Sequence, residues 1–398
     1  MPDQKILQKY ADVLVNFALW SGEGVQEGDV VFVSIPECAK PFLLPLQETI
    51  LKAGAHPIIE YKPDGIARSF LELADEEQVL YVPKNILLGR VEDCTHIISI
   101  LAESDKHELE GIDSRKIMAA TQARKFYMDA RRDKEDRGKL TWTLGLFGTQ
   151  AMADEVNMSL EEYWAEIINA CYLEEEDPVQ KWKEIMSQIE TYKSKLDELQ
   201  IEWLHIEGED VDLKVKVGKD RKWLGGSGRN IPSFELFVSP DWRGTEGRIR
   251  FNQPLYRYGN LIEGIALEFK DGVVTSSSAT KNEEVLKNMI ATENADKIGE
   301  FSLTDKRFSR ITRFMGETLY DENVGGEFGN THIALGMAYK DSYRGDVTSV
   351  SETEWEEFGF NDSVVHTDIM STTNRTVTAT LVDGTERVIY KDGMFQLD

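Results

Sequence analysis

The strongest constraint on the fold is a change of residue pattern near the middle of the chain. In the first half, apolar strand-like runs at residues 30–35 and 57–61 enclose a stretch at 41–53 whose apolar residues recur at helical spacing. A strand, a helix and a second strand in this order indicate a βαβ unit with parallel strands. Further strand-like runs at residues 97–100 and 141–146 continue the pattern. We therefore expect an open, mostly parallel sheet in this half.

The second half of the chain is richer in strand patterns. Residues 160–200 are mostly helix-forming, and a break is predicted at the acidic run 174–178, which ends in a proline. From 211 to 217, apolar and charged residues alternate, as in a strand with one buried face. The sequence therefore predicts an α/β fold, mixed α+β overall. We expect an N-terminal α/β domain at residues 1–200 and a β-rich C-terminal domain at 201–398.

Composition argues against some classes of partner. The 398-residue chain carries a formal net charge of −26. Broad contact with nucleic acid or an anionic membrane is therefore disfavoured, because phosphate contacts need lysine and arginine. Solubility alone also explains an acidic surface. The first half contains neither a G-x-G-x-x-G nor a Walker sequence, which removes the usual argument for nucleotide binding.

Cysteine content and hydropathy bear on location. Cys38, Cys94 and Cys171 lack the spacing of a metal site, and so few cysteines in a chain of this length indicate a reducing compartment. Residues 1–10 lack the apolar core of a signal peptide, and no apolar run is long enough to span a membrane. We therefore expect a cytoplasmic protein with no membrane partner.

His366 and Asp368 form the sharpest local pattern for chemistry. Both lie in the run 362–370, which favours a strand. Residues two apart on a strand point to the same face, so an imidazole and a carboxylate would stand side by side. Such a pair suits zinc, cobalt or manganese better than calcium, which prefers oxygen ligands. The alternative is a solvent-facing strand end with an incidental histidine.

His332, Glu235 and Glu300 are further candidate ligands. His332 lies in an apolar run containing glycines, where a histidine is more often a hydrogen-bonded core residue than a ligand. Glu235 alternates with apolar neighbours in a strand-like stretch, and its alternative is an exposed position on an edge strand. Glu300 follows a helix-like stretch at 282–297, with Gly299 as the expected helix stop. The alternative for Glu300 is a solvated side chain at the start of a strand.

Together, these five residues have the composition of a site for two metal ions. Two ions about 3.5 to 4 Å apart need several carboxylates, because anionic oxygens bridge and neutralise two dications, and a few imidazoles complete the shells. Tyr339, close after His332, is the candidate for stabilising an oxyanion formed by attack at a carbonyl, with a core aromatic residue as the alternative. On local pattern alone, other acids compete as ligands, namely Glu246, Glu263, Asp321 and Glu322.

Four stretches of the chain resemble the thermophilic-aminopeptidase family of dinuclear metallo-aminopeptidases, in the family's order and at nearly its spacing. These stretches are residues 230–237, 298–301, 331–339 and 361–368. The resemblance implies two divalent ions per chain, zinc, cobalt, manganese or magnesium. It implies that their ligands are Glu235, Glu300, His332, His366 and Asp368. It also implies that Tyr339 and Glu300 are catalytic, Glu300 as a candidate bridging ligand.

The resemblance further implies an activity and an assembly. The expected activity is release of N-terminal amino acids from peptides, and the expected assembly is a homodimer that encloses the active sites. Two departures from the family concern the substrate pocket. The family usually has Thr-Glu-Glu-Val where this chain has Ser-Phe-Glu-Leu at 233–236, and residues 324–329 look like a small glycine-rich insertion before His332. Phe234 and this insertion could reshape the peptide pocket.

Two other functions are compatible with the same residues. The ligand types also serve two-metal phosphoesterases and esterases, which would act on phosphate esters but not on amino-acid amides. A non-catalytic, metal-stabilised binding protein is the third hypothesis. In that case Glu300→Gln or Tyr339→Phe would leave function intact, whereas metal removal would lower stability.

Overall fold

The computed structural model describes residues 2–218, 220–226, 228–257 and 260–397. Within this part, the chain divides into two compact units. The first comprises Met1–Lys183 with Ser227–Ile231, and the second comprises Glu184–Gly226 with Pro232–Asp398. The domain boundary expected after residue 200 stays a prediction.

The β-strands are numbered in chain order. They are β1 (Val30–Pro36), β2 (His56–Lys62), β3 (His96–Leu101), β4 (Thr141–Leu146), β5 (Ile201–Gly208), β6 (Val211–Lys216), β7 (Leu224–Gly225), β8 (Asn230–Ile231), β9 (Glu235–Val238), β10 (Asp241–Arg250), β11 (Leu255–Arg257), β12 (Asn260–Ile262), β13 (Ala266–Lys270), β14 (Val273–Ser278), β15 (Ile298–Thr304), β16 (Asn330–Gly336), β17 (His366–Ser371), β18 (Arg375–Leu381), β19 (Glu386–Lys391) and β20 (Met394–Phe395).

The α-helices are numbered in the same way. They are α1 (Gln4–Asn16), α2 (Lys40–Lys52), α3 (Ile66–Leu73), α4 (Glu76–Leu80), α5 (Lys84–Asp93), α6 (Ser114–Ala123), α7 (Lys125–Asp136), α8 (Gln150–Glu155), α9 (Leu160–Ala170), α10 (Pro178–Glu198), α11 (Glu283–Ile290), α12 (Thr318–Asp321) and α13 (Glu352–Glu357). Among the described residues, no helix is both long and apolar enough to cross a membrane.

The sheet of the first unit is parallel, with strand order β2-β1-β3-β4-β8. Val31, Val33 and Ile35 of β1 are fully buried, and Phe32 between them is almost as well buried. Burial on both sides of a strand is expected where helices cover both faces of a parallel sheet. The α/β architecture predicted for this half of the chain is confirmed.

The second unit is built mainly from antiparallel sheets. One has the strand order β14-β13-β10-β6-β5-β18-β19-β20, another has the order β17-β16-β15-β9-β7, and β11 pairs with β12. In β6, the buried Val211, Leu213 and Val215 alternate with the exposed Asp212 and Lys214. This is the alternation that the sequence predicted, and it places one face of the strand in the core.

The helix expected over residues 282–297 is shorter than predicted. Helix α11 ends at Ile290, and Asn294 adopts a left-handed conformation with φ 58°, which a helix cannot continue through. Gly299 does not stop a helix but lies inside β15, where the pairing with β16 shifts by one residue. A Cβ at Gly299 would lie 2.2 Å from the Met337 carbonyl oxygen, so the close approach of the two strands requires glycine.

Candidate active site

The candidate residues lie on one face of the sheet β17-β16-β15-β9. Neighbouring strands are antiparallel here, and residues directly opposite each other point to the same face. Ala334 of β16 lies opposite Glu300 on one side and Asp368 on the other. His332, two residues earlier in β16, lies opposite Ser302 of β15. The register alone therefore brings two carboxylates and an imidazole together.

Glu235 and His366 join the same face from the first residues of β9 and β17. Glu235 lies opposite Thr304 of β15. His366 lies opposite Gly336, which has φ +101° and would place a Cβ 2.0 Å from the Val365 carbonyl oxygen. Only glycine fits at this position, and it allows β17 to begin directly against β16.

The side chains converge around Glu300. His332 Nε2 lies 3.2 Å from Glu300 Oε1, 3.2 Å from Glu235 Oε2 and 3.9 Å from Asp368 Oδ1. His366 Nε2 lies 3.7 Å from Glu300 Oε2 and 3.5 Å from Asp368 Oδ1. Glu300 thus presents one oxygen to each imidazole.

Two groups of potential metal ligands follow from this geometry. One consists of Glu235, Glu300 and His332, and the other of Glu300, His366 and Asp368. In each group the ligand atoms lie within 4.8 Å of one another. Glu300 belongs to both groups, so a single carboxylate can serve two adjacent ions.

The cluster is largely shielded from water. Glu235, Glu300, His332 and Asp368 are buried, and the His366 side chain, at 19% exposure, is the most accessible of these five residues. Burying several carboxylates together is unfavourable unless cations or hydrogen bonds compensate for them. His366 therefore marks the side from which solvent can reach the cluster.

The close packing of carboxylates and imidazoles in the cluster shifts the pKa values of its members. Burial, opposed by the hydrogen bond from His332 and reinforced by the Glu235 and Asp368 carboxylates, raises the pKa of the Glu300 carboxyl to about 7. Burial opposes protonation of His366, but Asp368 and Glu300 outweigh it and raise the pKa of His366 to about 9. The cluster therefore favours bound positive charge.

The donor set fits divalent metal ions. His366 Nδ1 lies 2.9 Å from the Met337 carbonyl oxygen, an acceptor, so Nδ1 carries a proton and Nε2 is left facing the carboxylates. The Ser302 hydroxyl donates to Glu235 Oε2 at 2.8 Å and orients that carboxylate. Carboxylate oxygens and imidazole nitrogens with such outer partners are the ligands expected for zinc, cobalt or manganese.

Glu322 is a further acidic residue that interacts electrostatically with the cluster, although it belongs to neither ligand group found among the described residues. It follows α12 directly and is buried. Burial raises its pKa well above the usual range, and the Glu235 and Asp368 carboxylates contribute to that increase. Asn323 Nδ2 donates to Glu322 Oε1 at 3.3 Å. The run Asp-Glu-Asn at 321–323, enclosed by apolar residues, was the signal that could have identified it.

The other competing acids have different surroundings. Glu246 is exposed and accepts a hydrogen bond from the main-chain N–H of Asp271. Glu263 forms an ion pair with Lys281 at 3.1 Å. Asp321 is buried, but its carboxylate accepts main-chain N–H groups of residues 315 and 317. None of these three occurs in the ligand groups found among the described residues.

Tyr339 lies beside the cluster. Its ring centroid is 5.0 Å from that of His366, in an edge-to-face arrangement, and 5.6 Å from that of Phe237. The ring is partly exposed. Tyr339 therefore borders the same accessible side of the cluster as His366.

Phe234 and residues 324–329, where the sequence departs from the family, differ in exposure to solvent. Phe234 is completely buried, and its main-chain N–H donates to Asn323 Oδ1 at 2.7 Å. Within 324–329, Gly326 and Glu327 are exposed. Any influence of Phe234 on a peptide pocket therefore acts through packing, whereas the loop can meet a ligand directly.

Comparison with known proteins identifies the family of the chain. The model of the thermophilic metalloprotease (M29) family matches residues 3–395 of the chain. The sequence is 29% identical over 413 residues to aminopeptidase PepS of Streptococcus thermophilus, covering 97% of each chain. It is 29% identical over 402 residues to aminopeptidase T of Thermus aquaticus, covering 96% of this chain and 97% of that one.

The fold is similar to a solved structure as well. Wild-type AmpT from Thermus thermophilus superimposes with a TM-score of 0.85 at 25% sequence identity, over 99% of both chains. The structural likeness and the family match each extend over nearly the whole chain. We conclude that this chain belongs to the thermophilic metalloprotease (M29) family and is a metal-dependent hydrolase.

Proposed function

We propose that this chain is a metallo-aminopeptidase that uses two divalent ions to remove N-terminal amino acids from peptides. The observation that carries the proposal is the position of Glu300, which is shared by two groups of potential ligands. Glu235 and His332 would complete the site of one ion, and His366 and Asp368 that of the other. The relatives named as aminopeptidases support peptides as the substrate class.

The ions would polarise the scissile carbonyl and acidify a water molecule for attack on it. Glu300 would hold the two ions at a fixed separation. His366, held through Nδ1 by the Met337 carbonyl, would keep its other nitrogen aimed at the cluster. Glu322 adds a buried carboxylate at the same cluster, where a proton can be held during the reaction.

Tyr339 would stabilise the oxyanion. A phenolic hydroxyl is a neutral hydrogen-bond donor, and such donors act most strongly on the charge that develops in the transition state. The contact of its ring with His366 supports this role, because it keeps the side chain beside the accessible edge of the cluster.

The decisive experiment measures hydrolysis of amino-acid anilides and short peptides by the chelated protein, before and after addition of zinc, cobalt, manganese or magnesium. We expect metal to restore release of N-terminal residues in the wild-type chain but not in His366→Ala. His205→Ala is the matched control, because His205 pairs with Glu207 and Asp212 away from the cluster. Phosphate-ester hydrolysis without amide hydrolysis would instead assign a phosphoesterase.

Location and assembly are part of the proposal. The low cysteine content supports a cytoplasmic protein. The family resemblance supports a homodimer. Light scattering of the metal-loaded protein tests the assembly, and a monomer at micromolar concentration would contradict it.

A further inference from the structure

Tyr339 is held by a hydrogen bond that lies outside the ligand cluster. Its main-chain N–H donates to Ser239 Oγ at 2.8 Å. Ser239 is fully buried and follows β9 directly, so it continues the strand that begins at Glu235. One side chain therefore connects the end of a ligand-bearing strand to the residue proposed as the oxyanion donor.

The segment that follows Tyr339 also binds Ser239. The main-chain N–H of Ser239 donates to Ser342 Oγ at 3.1 Å, and the Ser342 hydroxyl donates to the Lys222 carbonyl at 2.8 Å. Ser342, also fully buried, ends the short 3-10 turn Lys340–Ser342 that starts directly after Tyr339. The segment 339–342 is thus fixed at both ends against Ser239.

The main chain of Ser239 is anchored from the opposite side. Arg221 Nε donates to the Ser239 carbonyl at 2.7 Å, and another nitrogen of the same guanidinium donates to the Phe358 carbonyl at 2.6 Å. The guanidinium lies 3.7 Å from the ring centroid of Phe360. A buried, stacked arginine has little rotational freedom, so it holds the main chain that carries the Ser239 hydroxyl.

We propose that Ser239 is a positioning residue for the reaction, which holds the main chain of Tyr339 so that the phenol meets the developing oxyanion. The inference rests on the proposed function. Without the Ser239 hydroxyl, the N–H of Tyr339 loses its acceptor at a partly buried position, and the segment 339–342 can shift. A shift of the phenol would weaken stabilisation of the transition state. The contacts that bind the substrate and the metal ions would stay as they are.

The test compares Ser239→Ala with wild type in the zinc-loaded protein, using leucine anilide as substrate. A misplacement of about 1 Å can lower a rate about 100-fold, so we expect kcat to fall by about 10- to 100-fold with KM and zinc content unchanged. Ser371→Ala is the matched control, because Ser371 is equally buried and its hydroxyl contacts Thr373 instead. It should keep the wild-type kcat.

A double-mutant cycle separates positioning from general loosening of the structure. If Ser239 acts through the phenol, Ser239→Ala has no further effect on kcat once Tyr339→Phe has removed the hydroxyl. Equal losses in both backgrounds would overturn the inference, as would a change confined to KM. If Ser239→Ala does not fold, Ser342→Ala loosens the same contact from the other side and enters the same cycle.

Hydrogen exchange gives a readout that does not depend on activity. We expect faster amide exchange in Ser239→Ala only in the peptide that contains residues 339–342, with β15 and β16 unchanged. Unchanged exchange in this peptide contradicts the inference. Absence of aminopeptidase activity in the zinc-loaded wild type refutes the proposed function instead, and wild-type kcat in Tyr339→Phe refutes the role of Tyr339 and the inference with it.

Discussion

At the scale of single residues, the proposal of two metal ions depends on Glu300, which belongs to both groups of potential ligands. Its two oxygens face different histidines, at 3.2 Å from His332 and 3.7 Å from His366. A carboxylate in this position can bridge two ions, because each of its oxygens has a free electron pair for a separate metal. Glu235 and Asp368 then need to contact only one ion each.

Tyr339→Phe tests the residue proposed to donate to the oxyanion. Removal of one such donor typically lowers kcat by about 100- to 1,000-fold, so we expect a fall of that order. Metal content should stay at the wild-type level, because the proposal assigns Tyr339 to the oxyanion and not to the metal ligands. Steady-state kinetics on leucine anilide, with metal analysis by mass spectrometry, measures both. Tyr343→Phe, whose ring packs against Trp355 and Phe358, is the control and should retain activity.

Strand periodicity singled out only His366 and Asp368, which lie two residues apart and therefore share a face. The full set of five candidate ligands came from the family resemblance. Glu322 follows a helix instead, so no strand period connects it to His332 or Glu300. The choice of Glu235 over Glu246 also depended on the family resemblance, because local sequence does not reveal that β9 lies beside β15.

At the scale of elements, the site depends on the small side chain between two carboxylates. Ala334 lies opposite both Glu300 and Asp368 and is fully buried. Its methyl group leaves room on this face between the flanking carboxylates, where the proposed ions would lie. The sequence showed an apolar strand at this point, but the identity of the cross-strand neighbours became visible only with the sheet order.

Ala334→Val tests this reasoning. Two added methyl groups would occupy the space between the carboxylates, so we expect the rise in melting temperature on addition of zinc to be lost or strongly reduced. Overpacking by itself costs about 1–3 kcal/mol, which Ala379→Val in β18 should also show. Ala379 is equally buried but lies in another sheet. The prediction fails if both variants gain as much stability from zinc as the wild type does.

A second element-scale feature lies where the strands of the parallel sheet begin. His96, the first residue of β3, is fully buried, with Nε2 2.8 Å from Asp29 Oδ2 and Nδ1 2.8 Å from Thr141 Oγ1. Burial lowers the pKa of His96 below its ordinary value of 6.5, against the opposing effect of Asp29. The folded state therefore binds a proton at His96 less readily than the unfolded state does.

This difference predicts a pH dependence of stability. Below pH 6.5 the unfolded state takes up protons that folded His96 resists, so the free energy of unfolding falls as the pH decreases. We expect a smaller fall in His96→Gln than in wild type between about pH 7.5 and about pH 5.5, the range in which histidine titrates. Urea unfolding at several pH values measures it. Titration of the metal-ligand residues affects wild type and His96→Gln alike, so it cancels in the comparison. The account is contradicted if the free energy of unfolding has the same pH dependence in both proteins.

At the scale of the whole molecule, the change from an α/β to a β-rich pattern was predictable and the site geometry was not. Continuous apolar runs such as β1 and alternating runs such as β6 carry their burial pattern in the sequence. The left-handed Asn294 and the displaced pairing at Gly299 depend on contacts far along the chain, which explains why α11 was predicted too long. The identity of the physiological metal depends on geometry, ligand type and supply more than on raw affinity.

Removal of metal should affect the molecule unevenly. Without ions, the buried carboxylates around Glu300 lose their compensating charge, and local opening of that sheet becomes easier. We expect a chelator to increase amide exchange in β9, β15, β16 and β17, while β1, β3 and β4 of the first unit keep their protection. Hydrogen exchange with mass spectrometry on the chelated and zinc-loaded protein tests this. A uniform change over both units, or no change, would argue against a metal site in this sheet.

The central claim is that Glu300 is shared by two metal ions, and anomalous diffraction from zinc-loaded crystals tests it most directly. The account predicts two adjacent anomalous peaks, one beside Glu235 and His332 and the other beside His366 and Asp368, with Glu300 between them. Peaks that lie elsewhere, or a single peak that excludes Glu300 at saturating zinc, would contradict it.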